Sequence, residues 1–362
     1  MPRVVTVPVV ARGDDDGAPS DGTSGARSVL RVLAAVPGRG DDAVAIVNGL
    51  FGDALDERDS RYATSMTIRA GDTVLPVDPH LLPGVLDTAV PNVGSRLCVL
   101  VHGLMSTESI WRFSGQPTTT YGSLLAADHG VTALSVRYNT GRHVSVNGRE
   151  LAHLLAQLVR AWPVRVREIN LIGHSMGGLV VRSACHYGRR SWRLGRWVPI
   201  GTRWTGKVRR VVLIGVPNTG AGLEAFVNSA SAALWSVPVP ATRLVGLGLD
   251  RRSAGIKDLR FGAIVDDDWL ERDPDARHRS HPHRPIRLRR ADYLVIAGSV
   301  TADHEHPVAR VIGDALVTSA SAAGRSDDGE LFAGATTRMF SKVTHNALAH
   351  HPDVYDAILD WW

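Results

Sequence analysis

Residues 169–184 read I-N-L-I-G-H-S-M-G-G-L-V-V-R-S-A and constrain the fold more than any other stretch. An apolar run from Ile169 to Ile172 stops at Gly173. Ser175 follows, between Gly173 and Gly177, and a helix-compatible run begins at once. Strand, sharp turn and helix with G-x-S-x-G at the turn hold a serine in a strained backbone conformation, its hydroxyl projecting outward. A Cβ at Gly173 or Gly177 would collide with the neighbouring strand or helix. The helix after Ser175 points unpaired N–H groups at the site, where negative charge would develop. His174 and Met176 fill the variable positions. The plainer reading is a glycine-rich turn whose serine only caps the helix. The strand before it, the helix after it and the α/β pattern upstream favour a nucleophile.

That pattern is regular from Leu97 onward. L-C-V-L-V-H-G is a continuous apolar strand of the kind buried on both faces. A helix is expected around Thr120 to Ala127 and a strand at Val131 to Val136. Leu151, Leu154, Leu155, Leu158 and Trp162 share one face of a helix over Arg149 to Trp162, with Asn147 and Glu150 placed to cap it and Pro163 to end it. Further strands are expected at Val208 to Ile214, Tyr293 to Ala297 and Arg338 to Val343, with a closing helix from Pro352 to Trp362. Strand–helix alternation predicts an α/β fold: a mostly parallel central sheet with helices on both faces.

Residues 1–27 are expected to be disordered, since Ala11 to Arg27 is rich in Gly, Asp, Ser and Pro. Residues 28–96 form an extension: a short helix over Asp41 to Phe51, with Val44, Val47 and Leu50 apolar, and a hairpin of Ser65–Ile68 and Val74–Leu75 about Ala70-Gly71-Asp72. The main domain spans 97–362. Within it, Gly220 to Arg290 is too long for a connection between strands and reads as an inserted cap, about 220–290. Its early part, Leu223 to Val237, is mildly amphipathic and contains Trp235.

A serine hydroxyl needs a base, and the base needs an orienting acid. In this architecture they follow the serine, acid before histidine. His345 lies on a loop after the last strand, at the carboxyl edge of the sheet; His350 and His351 abut the closing helix and suit capping or solvent. For the acid, Asp303 and Asp314 both follow the Tyr293 strand, and position alone does not separate them. Asp266, Asp267 and Asp268 fall inside the cap. One oxyanion donor is the N–H of Met176. The other is the N–H of Leu104, which Gly103 lets face the site, with His102 stiffening the loop.

With these residues in place, the chain resembles the α/β-hydrolase lipases and esterases. V-L-V-H-G-L is similar to their oxyanion-loop strand, G-H-S-M-G-G to their elbow, and L-I-G-V-P-N-T-G to the strand and loop that follow. G-D-A-L-V-T-S-A-S-A resembles the segment that carries their triad aspartate, which selects Asp314 over Asp303. V-T-H-N-A-L-A-H-H-P-D-V-Y resembles their histidine loop and last helix, supporting His345. Ala315 and Thr318 stand where that family usually has glycine and proline. The resemblance leans towards the bacterial lipase-like and GPI inositol-deacylase-like branch and covers about Leu97 to Trp362.

It implies a hydrolase that cleaves carboxylic esters through an acyl-serine, acting on a small-molecule or lipid ester, without cofactor or metal. An amidase or peptidase would use the same residues, and a non-catalytic scaffold could share the fold. His278, His281 and His283 lack a carboxylate or cysteine at fitting spacing and read as a solvated loop. The net charge of +5 is almost all arginine. Its runs at Arg189–Arg196 and Arg277–Arg290 lack the interleaved aromatics of a nucleic-acid module, so no nucleic-acid partner is expected. Cys98 and Cys185 read as buried free thiols. No run reaches transmembrane length and the start is a poor signal peptide, so a cytoplasmic protein without stable membrane insertion is expected. The oligomeric state is left open.

Overall fold

Burial with a period of two splits the central strands between two cores. Leu97, Val99 and Val101 face one, and Cys98 and Leu100 the other. Ile169 and Leu171 oppose Ile172 in the same way, as Val211 and Leu213 oppose Val212 and Ile214. Such strands are apolar throughout because neither face meets water. The computed structural model describes residues 40–90, 92–193, 196–199, 204–221, 253–270, 287–302, 313–326 and 329–362.

Eight strands form the sheet: β1 (Thr67–Ala70), β2 (Thr73–Leu75), β3 (Arg96–Val101), β4 (Thr132–Arg137), β5 (Glu168–His174), β6 (Val208–Ile214), β7 (Asp292–Ser299) and β8 (Thr336–Ser341). Their order is β2-β1-β4-β3-β5-β6-β7-β8. The strands β4 to β8 and β3 run parallel, and the β1–β2 hairpin adds antiparallel to β4 at one edge. This is a mostly parallel α/β sheet, open rather than closed into a barrel. One face is covered by α2 (Leu82–Ala89), α4 (Val144–Ala161) and α5 (Met176–Tyr187), through Leu86, Leu151, Leu155, Leu158 and Leu179. The other is covered by α3 (Tyr121–His129) and α7 (Pro352–Trp361), through Tyr121, Leu125, Val354 and Ile358.

Several boundaries differ from expectation for identifiable reasons. Helix α1 runs from Gly40 to Glu57, past Phe51, because its apolar stripe continues to Leu55. Thr120 caps α3 reciprocally with Ser123. Helix α4 begins five residues before Arg149, so Asn147 is inside its first turns rather than its cap. The Asn147 amide donates instead to the Asn139 carbonyl, and Glu150 pairs with Arg142. The free N–H of Val144 is taken by Asp258, 114 residues away in sequence. Local sequence could not reveal that cap.

Asp258 belongs to α6 (Ala254–Phe261), inside the interval expected to be an insertion. Residues 253–270 pack on the body: Asp266 pairs with Arg149, and the Ser253 hydroxyl donates to the Gly49 carbonyl. Residues 1–27, Leu223 to Val237 with Trp235, and His278, His281 and His283 lie outside the described residues. No helix among the described residues is long and apolar enough to cross a membrane.

Candidate active site

The strands β3, β5, β6, β7 and β8 end at one edge of the sheet, and the sequence-selected residues follow those ends. Ser175, directly after β5, has φ 54° and ψ −127°. An L-residue rarely adopts such a conformation, which persists only when its surroundings enforce it. Here the N–H of Ser175 donates to the Ile214 carbonyl at 2.8 Å, and the crossing chains are too close for side chains. A Cβ at Gly177 would lie 2.2 Å from the Val101 carbonyl oxygen, and one at Gly173 2.5 Å from the Gly178 Cα.

Asp314 and His345 meet beside this turn. His345 Nδ1 donates to Asp314 Oδ2 at 2.8 Å, and the His345 backbone N–H donates to the Asp314 carbonyl at 3.0 Å. Asp314 is fully buried, and its Oδ1 accepts the N–H groups of Leu316 and Val317. Three hydrogen bonds thus hold its two oxygens. With Nδ1 engaged by Asp314, Nε2 is the ring nitrogen left to exchange a proton with a neighbour. Ser175 Oγ makes no hydrogen bond among the described residues, a looseness common before substrate binds. Ala315, at φ 82°, and Thr318, which caps the single turn Ser319–Ala322, shape the acid loop.

The loop after β3 closes the third side. A Cβ on Gly103 would stand 2.9 Å from the Ser175 Cβ, so only glycine fits there without a shift. His102 Nδ1 donates to the Gly103 carbonyl at 2.9 Å. In a trans peptide the N–H points opposite the C=O, so this bond also fixes the direction of the Leu104 N–H. His102 is buried, stacked on Tyr138 with ring centroids 4.6 Å apart, and burial pushes its pKa down to about 4, so the ring is neutral at pH 7. Tyr138 in turn donates its hydroxyl to the His102 carbonyl. The N–H groups of Leu104 and Met176 have no acceptor among the described residues. They are free to meet a ligand oxygen.

His350 donates from Nδ1 to the Ile110 carbonyl, and His351 caps α7. Asp303 lies outside the described residues. Among those described, no group of three His, Cys, Asp or Glu side chains is arranged to hold a metal ion. Sequence reasoning missed two contributors. Tyr138 lies beyond the strand expected at Val131 to Val136 and has no role in that reading. His174 read as a variable elbow position, although its Nε2 lies 2.9 Å from the His345 carbonyl. Neither has a local signature, since each acts on a residue distant in sequence.

The model of the Alpha/beta hydrolase family matches residues 98–357. No curated protein matches the chain. Similar solved structures include the mature form of a Bacillus licheniformis lipase, 18% identical with a TM-score of 0.46, over 75% of this chain and 93% of that one. An esterase from a Rhodococcus species is 17% identical with a TM-score of 0.41, over 75% and 91%. A lipase-esterase related protein from Clostridium acetobutylicum is 12% identical with a TM-score of 0.40, over 74% and 95%.

Proposed function

The chain belongs to the alpha/beta hydrolase family, and from that premise we propose a serine hydrolase that cleaves carboxylic esters through an acyl-serine intermediate. The observation that carries the reading is the buried Asp314–His345 hydrogen bond of 2.8 Å beside a serine at φ 54°. In this mechanism Ser175 Oγ attacks the ester carbonyl while His345 Nε2 takes its proton. Asp314 holds the imidazole in the tautomer that leaves Nε2 free and stabilises the imidazolium. The N–H groups of Leu104 and Met176 receive the oxyanion. The imidazolium then protonates the departing alcohol. Water, deprotonated by the same nitrogen, releases the acid and restores the serine.

The assignment of Asp314 rather than Asp303, and the leaning towards the lipase-like and GPI inositol-deacylase-like branch, rest on motif resemblance. A small-molecule or lipid ester is the proposed substrate, and a cytoplasmic location goes with it. The test is a series of p-nitrophenyl esters from acetate to laurate beside a p-nitroanilide. Turnover of esters, far slower turnover of the anilide, and kcat/KM rising by up to about 0.8 kcal/mol of binding per buried methylene are expected. Faster anilide cleavage would indicate an amidase. No turnover of any of these by the folded protein would favour a non-catalytic scaffold.

A further inference from the structure

The imidazole immediately before the elbow serine is buried and makes one hydrogen bond among the described residues, and that bond goes to the backbone of the residue proposed as base. His174 Nε2 lies 2.9 Å from the His345 carbonyl oxygen. A carbonyl only accepts, so Nε2 carries the proton. The other nitrogen, Nδ1, is buried without a partner among the described residues. The ring meets the indole of Trp111 edge-on at 6.2 Å and stands 4.8 Å from the His345 ring.

We propose that His174 is a positioning residue: its Nε2–H anchors the His345 carbonyl and sets the distance between Ser175 and the base. The inference rests on the reading of Ser175 and His345 given above. His345 is then held at three points. Its N–H and Nδ1–H are fixed by Asp314, and its carbonyl is fixed by the residue covalently joined to Ser175. Serine and base are thus linked by a peptide bond, one side chain and one hydrogen bond, and not only through the long excursion between β6 and β8. No hydrogen bond joins Ser175 Oγ to His345 among the described residues, and the other tie on the serine side is the Ser175 N–H to Ile214, which acts through the sheet. Charge on His174 would work against the arrangement, because His345, His350 and His102 all lie within its electrostatic reach. Burial, reinforced by His345, holds its pKa well below the ordinary histidine value, which keeps it a neutral donor.

The test compares His174→Gln, whose amide can still donate to the carbonyl, with His174→Phe, which keeps a ring but no donor. His174→Leu replaces the latter if the larger ring prevents folding. With p-nitrophenyl butyrate, the donor-less variant should lose about 10- to 100-fold in kcat with KM within about twofold, as expected for a misplaced catalytic group. His174→Gln should recover most of that loss. The low-field proton resonance of His345 Nδ1–H should broaden or move in His174→Phe and persist in His174→Gln. Equal losses in both variants, or an unchanged resonance and kcat in folded His174→Phe, would overturn the proposal. Absence of ester turnover in the native protein would instead count against the hydrolase reading, while the resonance still tests the anchor.

Discussion

Ala315 stands at φ 82° in the loop that carries Asp314, a conformation that costs an L-residue roughly 1 kcal/mol. Related loops usually place glycine there. Ala315→Gly is therefore expected to raise stability slightly or leave it unchanged, which thermal melting checks; a clear loss would mean that the strain is relieved elsewhere. At the other members, Ser175→Ala and His345→Ala should each lower kcat by about 10³-fold or more, with no further loss in the double mutant, because such residues act as a unit. Multiplying losses would contradict the shared mechanism. Ser175, His345 and the glycines around them were legible in the sequence because their chemistry is local: a turn too tight for side chains, and a histidine after a strand. Asp314 was not separable from Asp303 by position and needed the resemblance. His174 and Tyr138 were not legible as contributors, since their partners are the backbone carbonyls of His345 and His102.

Among the elements, strands were read best, because doubly buried strands are apolar in every register. Helix starts were read worst, as α4 shows: its first N–H is taken by Asp258 rather than by a neighbour in sequence. The short 3₁₀ turn Glu108–Trp111 shows how the loop after β3 is held from behind. Glu108 is buried against Arg137, at 2.5 Å, and Arg69, at 2.9 Å, which bring together β4, β1 and this turn. Burial alone would raise the Glu108 pKa, but the hydrogen bonds and charge of Arg137, with the charge of Arg69, bring it below the ordinary value. A depressed folded pKa stabilises the fold above the unfolded value, about 4.3 for glutamate, and the contribution is lost as pH falls through the folded value. Glu108→Gln should lower Tm at pH 7, because it leaves two guanidinium groups without their shared carboxylate. The gap to the native protein should narrow as pH drops below about 4. A gap independent of pH would show that the ion pair contributes nothing.

On the scale of the molecule, α1 is seated on the loops around the site. A Cβ on Gly49 would strike Met105, one on Gly52 the Asn139 side chain, and one on Gly141 the backbone of Asn48 and Gly52. Asn139 donates to the Gly52 carbonyl, and Ser253 to that of Gly49. The chain before β3, which sequence reading set aside as an extension, thus backs the loops after β3 and β4. Gly141→Ala, whose Cβ would lie 2.2 Å from the Asn48 carbonyl oxygen, should destabilise the protein by about 1–3 kcal/mol and lower ester turnover. Gly84→Ala, in open space on α2, should be neutral or stabilising. Loss of stability without loss of turnover in Gly141→Ala would separate α1 from the site. The central claim, that Ser175 is an activated nucleophile, is tested most directly by incubating the folded protein with a fluorophosphonate and measuring its intact mass. The account predicts one adduct, mapping to Ser175, absent in Ser175→Ala and much slower in His345→Ala. No adduct on the native protein, or an adduct that persists in Ser175→Ala, would contradict it.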